Sequence, residues 1–506
     1  MHADVRREVI RAPDGALGTH VLGSLGLDGP TATSTVPAAV PAPMSPYEAA
    51  PRLLDLPRPV LLDSSSANGH GGRYSYLSAD PFLTVRSRGH RVELAGPAGR
   101  TVVEADPFEL LRCLLSRYAF AQSPELPPFL GGAVGYFGYD LGRLLESLPA
   151  TNPADGALPE LDAGFYDWVL AADHLSGESW LVATGLPAGT GAAARARLAE
   201  IEARLDAPAK SSREPEGSKE AGKAPDRQPL RFRSNVGRAD YLKAVRRAKE
   251  YIAAGDIYQV NLSHRLEGEW RGSAWPLYER LREASPVSYG AYLDLGDSKV
   301  LSASPELFLR LDGGRVQTRP IKGTRPRGMT PEEDRMLGAE LLSSEKDRAE
   351  NLMIVDLLRN DLGKVCRVGS VQVPELFGLE GDSNVWQMVS TVSGELRFGL
   401  GAVDLLRACF PGGSVTGCPK IRAMEIIEEL EPARRGVYCG SIGYLSFSGA
   451  MGTSIVIRTL VLQRGKVHLQ VGGAVVSDSD PEAEYGETLA KSRAAVHALG
   501  TELEEW

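Results

Sequence analysis

What the 506-residue chain lacks narrows it first. It has five cysteines, Cys113, Cys366, Cys409, Cys418 and Cys439, with no C-x-x-C pair among them. An odd, scattered set argues against a disulfide framework and suits free thiols in a reducing compartment. The eight histidines include no H-x-x-x-H pair, so no zinc signature is present. Positive charge is in deficit: 56 Lys and Arg stand against 65 Asp and Glu, a net charge of −9. That balance is not the footprint of a nucleic-acid binder. No apolar run approaches the roughly 20 residues of a membrane helix. The N-terminus, MHADVRREVIRAPDG, has no apolar stretch of the secretory-signal kind. The P-loop and the dinucleotide fingerprint are both missing. The expectation is a cytoplasmic protein that acts on a small molecule, without nucleic acid or membrane as partner.

What is present divides the chain unevenly. Residues 1–45 read as a poorly structured N-terminal extension, because 28–44 are dominated by Pro, Thr and Ala. Residues 46–206 read as an N-terminal subdomain of short strands punctuated by glycine. The tract 207–229 has almost no large apolar residue, cannot offset its ordering entropy by burial, and reads as a flexible linker or insertion. Residues 230–506 read as a second, larger domain. Tyr241, Val245, Ala248 and Ile252 recur at helical spacing. VLSASPELFLRL, VQTRP, GSIGYLSF, TSIVIRTLVL and KVHLQVGGAVV read as strands. Thr330-Pro331-Glu332-Glu333 predicts a capping box, Ser344-x-x-Asp347 a second helix start, and Asp480-Pro481 a third. Blocks of strands with inserted helices point to an α+β unit.

Two acidic pairs stand out. Asp347 and Glu350 share one face of a predicted helix, and Glu484 and Glu487 repeat that spacing with Lys491 four residues on. Either pair alone reads as a solvated helix surface. Facing each other across a cleft, four carboxylates would need a cation, and oxygen-only ligands select a hard ion such as Mg²⁺. The run 411-PGGSVTGCPKIRAMEII-427 and the run 471-VGGAVVSDSDP-481 read as glycine turns before helices, where backbone N–H groups favour an anion. Arg458 falls on an otherwise apolar strand and calls for an anionic partner. Lys322, in 319-RPIKGTRPRG-328, reads alone as a surface charge. In a partly apolar pocket it would instead be a nucleophile.

The segments PIKGTRPRG, AENLMIVDLLRNDLG, FPGGSVTGCPKIRAMEII, YCGSIGYLS, TSIVIRT and SDSDPEAEYGETLAKSRA together resemble the chorismate-utilising enzymes. This family includes the large subunits of anthranilate synthase and aminodeoxychorismate synthase, with isochorismate- and salicylate-forming relatives. The resemblance implies an α/β sandwich in which the N-terminal part packs with the catalytic part, and chorismate bound with Mg²⁺. It implies Glu350 and Glu487 as direct metal ligands and Asp347 and Glu484 as carboxylates acting through water. It implies substrate contacts from Arg458, Tyr438, Lys491, Thr416, Gly417 and the segment Gly472, Gly473 and Ala474.

Two positions separate the branches. Gln259 stands where water-using relatives carry a lysine, which argues for ammonia as the nucleophile. Lys322, with Thr324 in the same motif, stands where anthranilate synthases carry alanine. That points to the aminodeoxychorismate-forming branch with Lys322 as covalent nucleophile, its amine made neutral by burial or by cations such as Arg319. Gln387 replaces the family histidine thought to help a hydroxyl leave, so another group such as Glu306 would have to serve. Leu62, Asp63 and Ser64 resemble the segment where some members bind tryptophan. No glutaminase or lyase domain is recognisable, so a separate amidotransferase subunit would supply ammonia and a separate aminodeoxychorismate lyase would act downstream. The competing readings are anthranilate synthase component I and a non-catalytic chorismate- or tryptophan-binding subunit, which Gln387 would favour.

Overall fold

The computed structural model describes residues 10–11, 19–27, 38–66, 71–152, 158–207, 232–382 and 385–501. Helices begin where their caps demand. Thr330 caps Pro331–Ser343 by accepting the Glu333 N–H, Ser344 caps Glu345–Gly363 through the Asp347 N–H, and Asp480 caps Pro481–Leu499 through the Ala483 N–H. The box expected at Thr330 is not reciprocal, because the Glu333 carboxylate accepts the Met329 N–H at 2.8 Å instead. Helix Arg238–Ala253 buries Tyr241, Val245 and Ala248, as their spacing requires.

Among the described residues the strands form two large sheets, of 13 and 12 strands. In the first, Leu161–Tyr166 and Gly132–Phe137 continue into Ser441–Ser446, Met451–Ile455 and Leu307–Asp312 by antiparallel pairing. In the second, Gln259–Glu269, Lys466–Val475, Thr459–Gln463, Ser298–Ser304 and Tyr289–Asp294 lead into Val60–Asp63 and Tyr74–Ser78. Each sheet thus mixes early and late parts of the chain, so the segments before 206 and after 230 share both sheets and one inner core. Val60, Tyr76 and Val169 meet Tyr136, Ile442 and Tyr444 in that core. Helices cover the outer faces: Leu358 and Leu406 pack on the first sheet, Trp275, Leu277 and Val496 on the second. The α+β sandwich expected from the sequence is the fold observed.

Three readings need correction. Residues 1–45 are not uniformly loose: Ala38–Pro41 pairs with Ser179–Ala183, and Val21, Leu22 and Leu25 are buried in the first sheet's outer core. The expected linker lies, from residue 208 on, outside the described residues. Two runs read as single strands are each broken in the middle, where the chain passes from one sheet to the other. Ser298–Ser304 belongs to the second sheet and Leu307–Asp312 to the first, with Pro305 and Glu306 between them. Met451–Ile455 belongs to the first and Thr459–Gln463 to the second, with Arg458 at φ +52° in the break. Proline ends a ladder because it has no N–H, and a strand that switches sheets must turn a corner. The two crossings lie side by side. The Ser304 hydroxyl donates to the Ile455 carbonyl at 2.5 Å, and the Ile455 N–H donates to the Glu306 carbonyl at 3.1 Å.

Candidate active site

The crossings deliver Glu306 and Arg458 to one place, and the neighbouring edge delivers Lys322. Lys322 lies on strand Ile321–Pro326, at the irregularity between the Ile321–Val389 and Thr324–Gln387 pairs. Gly323, at φ +77°, lets the strand approach helix Glu345–Gly363 so closely that a Cβ there would sit 2.9 Å from Cγ of Asp347. The Lys322 amine donates to the Ser414 carbonyl at 3.1 Å. Burial pushes its pKa down, the carboxylates of Glu350 and Glu306 oppose that, and the Lys491 ammonium adds to it. Arg319 is not the cause expected of it. It is ion-paired with Glu380 and lies 3.7 Å from Glu375, so its charge is spent locally.

Glu306 is buried beside this lysine. Burial pushes its carboxyl up to about 7, against hydrogen bonds from the Ser414 side chain and the Ile321 N–H and the charge of Lys322. A carboxyl that keeps its proton near neutral pH can give it away. Gln387 sits across the sheet from Thr324, two positions beyond Lys322, with Glu380 opposite it on the other side. Thr324 itself is exposed.

The two acidic pairs do face each other. Glu350 feels the charges of Asp347 and Glu487, and burial raises its pKa while Lys322 and Lys346 lower it. Glu484 is 4% exposed; one carboxylate oxygen accepts from Ser479 at 2.6 Å and the other, Oε2, has no hydrogen-bond partner. Burial raises the Glu484 pKa. Burial also opposes ionisation of Glu487, but Lys491, 2.7 Å away, holds its pKa below the usual value together with Lys346 and Lys322. Asp347 pairs with Arg325 at 3.1 Å. The donor set is all oxygen and carries a buried unpartnered carboxylate oxygen, which fits a hard divalent cation. Among the described residues no three such side chains converge to chelation distance; Lys491, Ser479 and Arg325 each hold one of the acids.

The two glycine-containing segments expected to bind an anion sit on either side of strand Gln259–Glu269. Gly472, Gly473 and Ala474 are not in a turn. They lie within strand Lys466–Val475, paired with Ser263, Leu262 and Asn261. Glycine is needed at 472 because a Cβ would come 2.4 Å from the Leu262 carbonyl and 2.9 Å from the Tyr438 hydroxyl. A Cβ on Gly473 would lie 3.1 Å from Oε2 of Glu484, which places this strand against the acidic helix. On the other edge, Gly417 pairs with Val260, and the Thr416 carbonyl accepts the Asn261 N–H at 2.9 Å. The Lys491 amine donates to the Gly472 carbonyl at 3.1 Å. Arg458 forms no ion pair among the described residues. Burial lowers its pKa, with the charges of Asp382 and Glu306 opposing. A partly buried guanidinium without an ion pair suits a carboxylate ligand. Gln259 is 0% exposed and neither atom of its amide finds a partner. An orphaned buried amide is costly and calls for an explanation.

The segment Leu62, Asp63 and Ser64 lies apart from this cleft. Leu62 and Asp63 line a cavity of about 200 Å³ between the sheets, with Tyr74, Tyr76, Ile442 and Tyr444. The Asp63 carboxylate is already occupied by Arg282 at 2.6 Å and by the Tyr278 hydroxyl at 3.2 Å, and the Ser64 hydroxyl donates to the Gly72 carbonyl at 2.6 Å. Sequence reasoning missed Ser414, which touches both Lys322 and Glu306, and Lys346, which faces three of the acids. Ser414 lay inside a recognised motif, and Lys346 is one residue before Asp347; only their contacts in space distinguish them.

The sequence matches the chorismate binding enzyme family over residues 67–497. Aminodeoxychorismate synthase component 1 of Salmonella typhimurium is 44% identical over 449 residues, covering 88% of this chain and 93% of its own. Anthranilate synthase component 1 of Thermus thermophilus is 45% identical over 433 residues, covering 85% and 88%. The crystal structure of anthranilate synthase component I from Streptococcus pneumoniae superposes with a TM-score of 0.74 at 32% identity, over 84% of this chain and 92% of that one. The two enzyme types are equally similar overall, so only particular side chains can separate them. No helix among the described residues is long and apolar enough to cross a membrane. With a match spanning most of its length, the chain belongs to the chorismate binding enzymes.

Proposed function

We propose that the protein is an aminodeoxychorismate synthase large subunit, converting chorismate and ammonia to 4-amino-4-deoxychorismate through a covalent bond to Lys322. The observation that carries this is the placement of the Lys322 amine beside Glu306, with burial favouring the neutral amine on one and the protonated acid on the other. Arg458, Lys491, the Gly472–Ala474 amides and Thr416–Gly417 receive the substrate carboxylates, and Tyr438 closes the same wall. The Lys322 nitrogen forms a bond to C2, both ring double bonds shift, and the C4–O bond breaks. The departing hydroxyl takes the Glu306 proton and leaves as water, which relieves Gln387 of a role that a neutral amide performs poorly. Ammonia then bonds to C4, both double bonds shift back, the C2–N bond breaks to return the neutral lysine, and the proton shed by the new C4 ammonium restores the Glu306 acid. The pyruvyl ether is untouched throughout. Gln259, with its two unpartnered amide atoms, positions the incoming ammonia.

Glu350 and Glu487 would hold Mg²⁺ directly, with Asp347 and Glu484 acting through water. The ion would screen the substrate carboxylate and orient the ring. Ammonia comes from a separate glutamine amidotransferase subunit, in keeping with the "component 1" names of the relatives, and an aminodeoxychorismate lyase takes the product onward. The test is purified protein with chorismate, Mg²⁺ and ammonium, products separated with and without added lyase. p-Aminobenzoate that appears only with the lyase supports the proposal. Anthranilate formed directly overturns it in favour of the anthranilate synthase reading, and no consumption of chorismate would favour a binding subunit.

A further inference from the structure

Arg435 and Glu431 are each 4% exposed, and no sequence motif assigned them chemistry. Their ion pair has an unusual reach. Arg435 donates to both Glu431 carboxylate oxygens, at 3.0 and 2.7 Å, to the Val415 carbonyl at 2.8 Å and to the Asn261 carbonyl at 2.5 Å. Glu431 in turn accepts the N–H and the hydroxyl of Ser263, both at 2.8 Å. The guanidinium also lies over the rings of Tyr139, at 4.8 Å, and Tyr438, at 5.7 Å.

These partners are not scattered. Val415 precedes Thr416 and Gly417, one half of the anion-binding wall. Asn261 and Ser263 pair with Ala474 and Gly472, the other half. The Asn261 peptide is held at both ends, its N–H by the Thr416 carbonyl and its carbonyl by Arg435. One planar guanidinium therefore bridges the Val415 carbonyl and the Asn261 carbonyl of the strand that pairs with Gly472–Ala474, a task that its rigid fork suits and an ammonium does not. Stability alone does not explain the pair, because burying two charges gains little over well-packed apolar residues.

We propose that Arg435, with Glu431 as its counter-ion, is the positioning residue of the substrate-carboxylate wall, fixing the Val415–Gly417 turn against the Gly472–Ala474 strand. This rests on the reading of those segments as the chorismate wall. Two variants test it. Arg435→Lys keeps the charge and loses the fork. The double variant Glu431→Met with Arg435→Met removes both charges at similar volume. Chorismate consumption is followed directly, whatever the product, with thermal unfolding recorded alongside. The expected result is a KM for chorismate raised about 10- to 100-fold in each folded variant, with kcat much less affected and the Mg²⁺ dependence unchanged. An unchanged KM in a folded variant overturns the proposal, and so does failure of both variants to fold at 25 °C, which would make the pair scaffold. If the wild-type protein makes anthranilate, the KM comparison still stands and only the product assignment falls. If the wild-type protein consumes no chorismate, the functional reading itself fails.

Discussion

The amine of Lys322 is held 3.1 Å from the main-chain carbonyl of Ser414, while the side chain of the same Ser414 hydrogen-bonds to Glu306. One residue thus orients both the nucleophile and the acid. The geometry keeps the amine and the carboxyl adjacent without requiring them to form a close ion pair, which would protonate one and ionise the other.

Replacing the nucleophile is the most direct consequence to check. Lys322→Ala should fold normally, because the side chain is only partly buried and its one hydrogen bond is to a carbonyl. Its rate of aminodeoxychorismate formation should drop by more than about 100-fold. Mass spectrometry of the wild-type protein quenched with chorismate and without ammonia should show an adduct on the peptide carrying Lys322. Full activity in the alanine variant would remove the covalent step.

The pH profile follows from the same two groups. Glu306 serves as an acid only while protonated, so its contribution is present below about 7 and lost as the pH rises through that value. Lys322 attacks only as the free amine, so its contribution grows with rising pH, from a pKa that burial has lowered. A bell-shaped dependence of kcat/KM is expected, its two limbs belonging to the coupled pair and not to either residue singly. Glu306→Gln should lower the rate about 100-fold or more and abolish the alkaline limb. An alkaline limb that survives this substitution would assign it elsewhere.

The acidic helices predict a graded metal response. Glu484→Gln removes a supporting carboxylate and should weaken Mg²⁺ binding about 10- to 100-fold, measured by calorimetry. Glu350→Gln and Glu487→Gln should each cost more. Wild-type Mg²⁺ affinity in all three would dismiss this cluster as the metal site.

Stability should also vary with pH through a residue outside the chemistry. His264 is buried, accepts the Ser234 hydroxyl at Nδ1 at 2.9 Å and donates from Nε2 to Thr488 at 2.9 Å, because the Thr488 proton is already given to the Tyr485 carbonyl. Burial pushes its pKa down from 6.5 to about 4. Its stabilising contribution is therefore complete above pH 6.5, where the unfolded chain is also neutral, and is lost as the pH falls toward 4. The loss should be about 3 kcal/mol, read from denaturant unfolding at pH 7 and pH 4. His264→Gln should flatten that dependence, and an unchanged slope would contradict the assignment.

Much of this was legible in the residues themselves. Caps at Thr330, Ser344 and Asp480 set three helices, and the three-residue spacing of Asp347/Glu350 and Glu484/Glu487 put each acidic pair on one face. What the sequence could not carry was anything decided by the meeting of distant segments. Arg458 looked like part of a continuous strand because the apolar pattern runs straight through the crossing, while the backbone break is set by the two sheets. Gly472 looked like a turn because a glycine pair usually is one, whereas here it makes room for the Leu262 carbonyl and Tyr438. Arg435 gave no signal, since its value lies wholly in which carbonyls it spans.

The sharing of both sheets between early and late segments has a practical consequence for dissection. A fragment starting near residue 230 would leave the Ser441–Ser446 strand without Gly132–Phe137 and the Tyr289–Asp294 strand without Val60–Asp63. Two unprotected hydrogen-bonding edges on apolar strands invite pairing with other copies. The later part of the chain is, for that reason, ill suited to study alone, because the N-terminal strands cover the edges that it would otherwise expose.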